Sequence, residues 1–274
     1  MSAPFEIAFE GRVAVDQIDF QKIQAPALPK ALQAVVDERW QHVLRWNPSA
    51  FDGPNISIRE IIPRGKGVGP DKTYTHAGLT LRYWPTTYSV FCGTTVPEVR
   101  HLYGNWAVHT GSAVCAVILS ADGYVVLHLR GRDVAYRRHL HMPGGILAHP
   151  DPVSAIKQEL EEELGIGCEE CPMPTLLGIA KDLTPGRWNH EFCFLIEVPL
   201  TFSEINRRHK GARDKNEGVL IPLPATKEHL TGILELGGEL ARGVWVPTGM
   251  AALILYGRSM GWEWHYSKLL GRLI

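Results

Sequence analysis

Apolar residues recur along this chain with two different periods. Between Asp151 and Gly165, the residues Val153, Ile156, Leu160 and Leu164 follow helical spacing and make one apolar stripe. Asp151 suits the N-cap, Pro152 the first helical position, and Gly165 the left-handed conformation that ends many helices. A second helix is predicted over Leu28 to Trp46, with Leu32, Val36, Trp40 and Val43 on one side and Asn47-Pro48 ending it. Strands are predicted at Phe5–Phe9, Asn55–Ile62 and His76–Trp84, the last carrying the alternation Leu79-x-Leu81-x-Tyr83. Phe51-Asp52-Gly53-Pro54 is a turn signal. From Thr110 onward the order is strand (Ala113–Leu119), turn (Ser120–Gly123), strand (Tyr124–Arg130), a loop, and the helix after Asp151. Strands near Leu176–Asp182 and Glu191–Val198 follow, with helices at Thr201–His209 and Pro247–Met260.

This alternation predicts an α/β (α+β) protein, a mixed β-sheet sandwiched between α-helices. Texture divides the chain into an N-terminal α+β region, residues 1–109, and a second region, residues 110–274. No internal repeat or low-complexity segment interrupts either.

Composition narrows the function classes. A chain of 274 residues, 45% hydrophobic, can bury one large core or two modest ones. A formal charge of −1 gives no general attraction to nucleic acid or to acidic membranes. No apolar run is long enough to span a bilayer, and Met1 to Phe20 mixes charges too early for a signal peptide, so a cytoplasmic protein is expected. Five cysteines without an export signal argue against a disulfide framework. Cys168-Glu169-Glu170-Cys171 is a lone CxxC and reads as two free thiols.

The candidate chemistry sits on the helix after Asp151. At about 100° per residue, Glu159, Glu162 and Glu163 fall on one arc while Glu161 points elsewhere. Like charges at such spacing repel and weaken an isolated helix, a cost that a bound cation would remove. Hard oxygen ligands without Cys or His favour Mg²⁺ or Mn²⁺ over zinc. Just upstream, Pro143-Gly144-Gly145 forms a turn whose backbone can approach a phosphate or a metal closely. A merely solvated acidic face is the competing reading for the helix alone.

These residues resemble the Nudix hydrolases, whose box runs Gly, five residues, Glu, seven residues, Arg-Glu-apolar-x-Glu-Glu-x-Gly-apolar. Glu159, Leu160, Glu162, Glu163, Gly165 and Ile166 match its second half, and Pro143-Gly144-Gly145 looks like its loop entry. The box arginine is replaced by Gln158, the loop glutamate falls on Pro150, and the Gly-Gly pair stands one residue closer to the helix. The metal-binding half is therefore intact and the structural half altered. Softer segments look like the Nudix enzymes acting on UDP-sugars: Phe51–Pro54 after a Trp-bearing helix, Thr87-Tyr88-x-x-Phe91-x-Gly93-Thr94, Leu176–Ala180, His190-Glu191-Phe192 and Ala252-x-Ile254-Leu255-Tyr256.

The resemblance implies a Nudix fold with an N-terminal extension that shapes substrate choice. It also implies a Mg²⁺-dependent pyrophosphohydrolase, with Glu159, Glu162 and Glu163 catalytic and metal-holding and Glu191 completing the metal site. Expected substrate contacts are Gly144, Gly145, Arg130, Arg132, Arg187 and Trp188, since guanidinium suits bidentate phosphate binding and an indole can stack on a base. A surface role fits Glu191 equally, and eight tryptophans in one chain favour a packing role for Trp188. The expected partner is a small nucleotide-sugar, UDP-glucose or UDP-galactose, with no nucleic acid and no membrane. The alternatives are ADP-ribose or another dinucleotide, because the box is blind to the nucleoside, and a non-catalytic nucleotide- or protein-binding domain.

Overall fold

The computed structural model describes residues 4–48, 50–68, 74–132, 134–236 and 245–262. In chain order the elements begin with β1 (Phe5–Val13), β2 (Ile18–Lys22), α1 (Lys30–Trp46), β3 (Pro54–Val68), β4 (Tyr74–Thr87), α2 (Tyr88–Thr94) and α3 (Pro97–Tyr103). Next come β5 (Gly111–Leu119), β6 (Tyr124–Arg130), β7 (Leu140–His141), β8 (Gly144–Ile146), α4 (Pro152–Leu164), β9 (Thr175–Asp182) and β10 (Asn189–Glu197). The last are α5 (Phe202–His209), β11 (Gly218–Pro224), α6 (Lys227–Leu236) and α7 (Pro247–Ser259).

One mixed sheet of eleven strands runs β11-β6-β5-β10-β9-β1-β4-β2, with β3 on β4, β7 on β6 and β8 on β5. Strand β5 pairs with β10 in parallel, from Gly111 opposite Asn189 to Leu119 opposite Glu197. Its side chains alternate between two cores. Val114, Ala116 and Ile118 pack with Ile156, Leu160 and Leu164 of α4 and with Phe192 and Phe194 of β10. Cys115 and Val117 pack on the other side with Leu253, Leu255 and Tyr256 of α7. The expected mixed sheet between helices is thus what the chain builds, because a strand apolar on both faces requires a covering layer on each. Each fully buried aliphatic side chain contributes roughly 1.5–3 kcal/mol, so a charge at Ile156 or Leu160 would detach α4.

The acidic helix begins and ends where its sequence predicts. The Asp151 carboxylate accepts from the Ser154 N–H at 3.0 Å, and Gly165 takes φ 66° and ψ 29°. Residues Pro247 to Gly257 of α7 are buried, so that helix is apolar on all sides.

Four differences from the sequence expectation follow. Strand β11 was not predicted because Pro222 and Pro224 read as breakers. It is tolerated because β11 lies at the sheet edge, paired to β6. Strand β3 runs beyond the expected Ile62 through Pro63, Gly65 and Gly67, again from an edge position against β4. Helix α6 had no strong periodic signal. The N-terminal stretch also enters the main sheet: β1 pairs antiparallel with β9, from Phe5 opposite Asp182 to Val13 opposite Leu176. Phe9 of β1 shares a core with Ile179 and Phe192.

Candidate active site

Helix α4 and strand β8 meet at the acidic arc. The Glu163 side chain is buried beneath the surface, and its Oε2 accepts from the Gly144 N–H at 3.0 Å. Its Oε1 has no hydrogen-bond partner and lies 3.5 Å from His128 Nδ1, which is itself buried and unpaired. From α5, His209 donates from Nδ1 to the Glu163 backbone oxygen at 2.6 Å, fixing this turn of helix. Glu159 lies over Gly145, where an added Cβ would meet Glu159 Oε1 at 2.1 Å. The Gly-Gly turn therefore makes room for a carboxylate.

Glu162 is held from two sides. Gln158 donates from Nε2 to Glu162 Oε1 at 2.9 Å. Arg213 grips the same carboxylate with Nη1 to Oε1 at 2.8 Å and Nη2 to Oε2 at 2.9 Å. The loop carrying Arg213 is tied to α4 by the Asp214 N–H donating to the Glu162 backbone oxygen at 2.8 Å. Glu161, as expected, points away and meets the Cys168 thiol at 3.2 Å.

The electrostatics around Glu159 are severe. Burial, then Glu163, Glu162, Glu217 and Asp214, push its carboxyl up to about 8. Burial first and Glu163 next also raise Glu217 above its ordinary value. Among the described residues, no group of three Asp, Glu, His or Cys side chains stands at metal-holding geometry. The donor set nevertheless suits a hard divalent cation, since Glu159 is crowded by four other carboxylates and Glu163 Oε1 is an orphaned buried oxygen.

These groups open into a cavity of about 830 Å³. Glu159, Glu162, Asp214 and Glu217 line it at the acidic end, together with Gly144, Gly145 and Arg213. Arg130 and Arg187 also line it, as do Tyr136 and Asp182, whose side chains share a short hydrogen bond. Glu191 reaches the same cavity from β10, with Oε1 3.2 Å from His141 Nε2. Burial opposes its ionisation, but His141, Thr248 and Cys115 outweigh that and hold its carboxyl below the usual range. Two expected contacts fall outside. Arg132 is exposed and does not line the cavity. The Trp188 indole donates to the Leu183 carbonyl at 3.2 Å and sits under Arg100, away from the cavity lining.

The sequence reading missed Arg213, Asp214 and Glu217. Their only signal is a charged run before Gly218, which has no periodicity and reads as a solvated loop. Tyr136 and Asp182 carry no local motif at all.

No family model and no curated protein matches the sequence. Solved structures are similar to this chain at a low level. A mutT/nudix family protein from Listeria innocua is 17% identical, with a TM-score of 0.39, over 55% of this chain and 94% of its own. A NUDIX hydrolase from Nitrosomonas europaea is 19% identical, with a TM-score of 0.39, over 57% and 97%. The NUDIX domain of Shewanella oneidensis NrtR, complexed with ADP ribose, is 11% identical, with a TM-score of 0.40, over 60% and 97%. At these identities and scores the chemistry rests on the side chains of this chain.

Proposed function

We propose that the protein is a Mg²⁺-dependent pyrophosphohydrolase that splits a nucleoside diphosphate sugar, UDP-glucose or UDP-galactose first, into UMP and a sugar 1-phosphate. The observation that carries the reading is the packing of the arc against the glycine turn, with Glu159 lying on Gly145 and the buried Glu163 held by the Gly144 N–H with its second oxygen unpartnered. Hard carboxylate oxygens gathered in this way suit a divalent cation. Glu159, Glu162 and Glu163 would hold Mg²⁺ or Mn²⁺, and Glu191 stands across the cavity as a further oxygen donor. A metal so held supplies charge neutralisation on phosphate oxygens and a more acidic water.

The remaining chemistry belongs to the chain. Water adds across one P–O–P linkage: its oxygen joins one phosphorus, and its proton ends on the departing phosphate. Glu217 fits the part of general base, since its raised affinity for a proton moves it toward neutral pH and it lies off α4. Arg130 and Arg187, on the cavity wall, suit the phosphate oxygens. The N-terminal region shapes the rest of the pocket, contributing Trp46, Phe51, Tyr88 and Phe91 to its lining.

The test is a substrate panel with Mg²⁺, reading released phosphomonoesters. Turnover of UDP-glucose above ADP-ribose is expected. Preference for ADP-ribose would sink the UDP-sugar assignment while sparing the hydrolase. The bidentate grip of Arg213 on Glu162 motivates a second reading, a domain that binds nucleotide without cleaving it. Calorimetric binding without turnover on the whole panel would establish that reading instead.

A further inference from the structure

Along β6, Val126 packs in the core beneath α4, whereas Val125, Leu127 and Leu129 join the core on the α7 side. By the alternation of a strand, His128 falls on the same face as Val126. The neighbouring strand β5 presents only Val114, Ala116 and Ile118 to that core. An apolar side chain would fill this position, yet a histidine stands there, 1% exposed.

A buried polar group needs a partner. Neither ring nitrogen of His128 has one, and Nδ1 lies 3.5 Å from Glu163 Oε1, itself a buried oxygen without a partner. Two orphaned groups thus face each other across a gap slightly longer than a hydrogen bond. The far side of the ring is closed by backbone, since a Cβ on Gly218 would stand 2.4 Å from His128 Nε2. The His209 ring meets it at a steep angle, 6.3 Å between centroids. Geometry also selects the tautomer. With its proton on Nε2, a neutral imidazole would aim the Nδ1 lone pair at a carboxylate and leave a buried N–H with no acceptor. With the proton on Nδ1, a small rotation of either side chain closes a hydrogen bond to Oε1.

We propose that His128 is a positioning residue for Glu163. Its Nδ1–H fixes Oε1, as the Gly144 N–H fixes Oε2 and His209 fixes the backbone oxygen of the same residue. This inference rests on the reading of Glu163 as a ligand for a divalent cation, and names what holds that carboxylate in place. Each carboxylate oxygen has two lone pairs, so a bond to each still leaves one free for the cation. Held at both oxygens, the group keeps one orientation beside Glu159 and need not be ordered when the cation arrives.

The test uses metal-free protein and Mn²⁺ followed by electron paramagnetic resonance. Asn carries its amide nitrogen where His carries Nδ1, Gln carries it where His carries Nε2, and Leu carries none. His128→Leu and His128→Gln are expected to weaken Mn²⁺ binding about 10–100-fold, whereas His128→Asn should stay within about threefold of wild type. Ring-nitrogen NMR of the metal-free wild type should show His128 protonated at Nδ1 and bare at Nε2, a readout that stands even where a variant fails to fold. A proton on Nε2, or a His128→Asn protein that binds Mn²⁺ no better than His128→Leu, would overturn the positioning role. Wild-type binding that His128→Leu leaves unchanged sinks that role alone. A wild type that takes up no Mn²⁺ at millimolar concentration sinks the cation reading and this role together.

Discussion

At the scale of single residues, the arc of three glutamates divides into three environments. Glu163 is buried and held by the Gly144 amide, Glu162 is gripped by Arg213, and Glu159 is crowded by neighbouring carboxylates. Glu163→Gln preserves the acceptor for the Gly144 amide but removes a charge, so turnover should fall by about two orders of magnitude or more with an unchanged melt. Glu159 binds its proton more tightly in the folded chain than in the unfolded one. Stability of the metal-free protein should therefore decline as pH rises from the ordinary 4.5 toward about 8, and Glu159→Gln should flatten that slope in melts with chelator. Metal binding near pH 7 should release about one proton, read by calorimetry in buffers of different ionisation enthalpy. An equal melting temperature at pH 5 and pH 8 would contradict the assignment of that shift. Arg213 is 70% exposed, so Arg213→Ala should leave the melting temperature nearly unchanged. It removes a cation competing for Glu162, and Mn²⁺ followed by electron paramagnetic resonance should bind more tightly.

At the scale of elements, the site is a meeting of α4, β8 and the loop before β11. Strand β8 is only three residues long, yet its register against β5 places Gly145 under Glu159 and Gly144 beside Glu163. Gly145→Ala should displace the Glu159 carboxylate and reduce turnover with a small effect on stability, checked by kinetics alongside a melt. Gly144→Ala is different, because its Cβ would stand 2.1 Å from the Val114 backbone oxygen. Backbone cannot swing aside as a side chain can, so a loss of roughly 1–3 kcal/mol in denaturant melts is expected. Helix α4 itself was legible from its stripe and caps, as was β5 from its apolar run. Strand β11 was hidden by its prolines, and β8 is too short to carry a period.

At the scale of the whole molecule, the N-terminal stretch does more than wall the cavity. Strand β1 hydrogen-bonds to β9, and Phe5 and Phe9 enter opposite cores. A chain beginning at Thr110 would expose Ile179 and Phe192 together with an unpaired β9 edge, an aggregation hazard. It should be insoluble or lack a cooperative melt, whereas the full chain should unfold in one transition.

The sequence by itself determined the acidic helix, its caps, the carboxylate arc, the glycine turn and the central apolar strand. Those features rest on local geometry: helical angle, φ preference and side-chain period are properties of neighbouring residues. Only the tertiary structure decided that Arg213 and Gln158 meet on Glu162, that Glu217 and Asp214 share the cavity with the arc, and that Phe51 lines it while Trp188 does not. Arg213 and Gln158 are distant in sequence and meet through one hydrogen bond between a loop and the helix backbone. No local pattern records such a meeting, because the free energy that fixes it comes from packing the layers together.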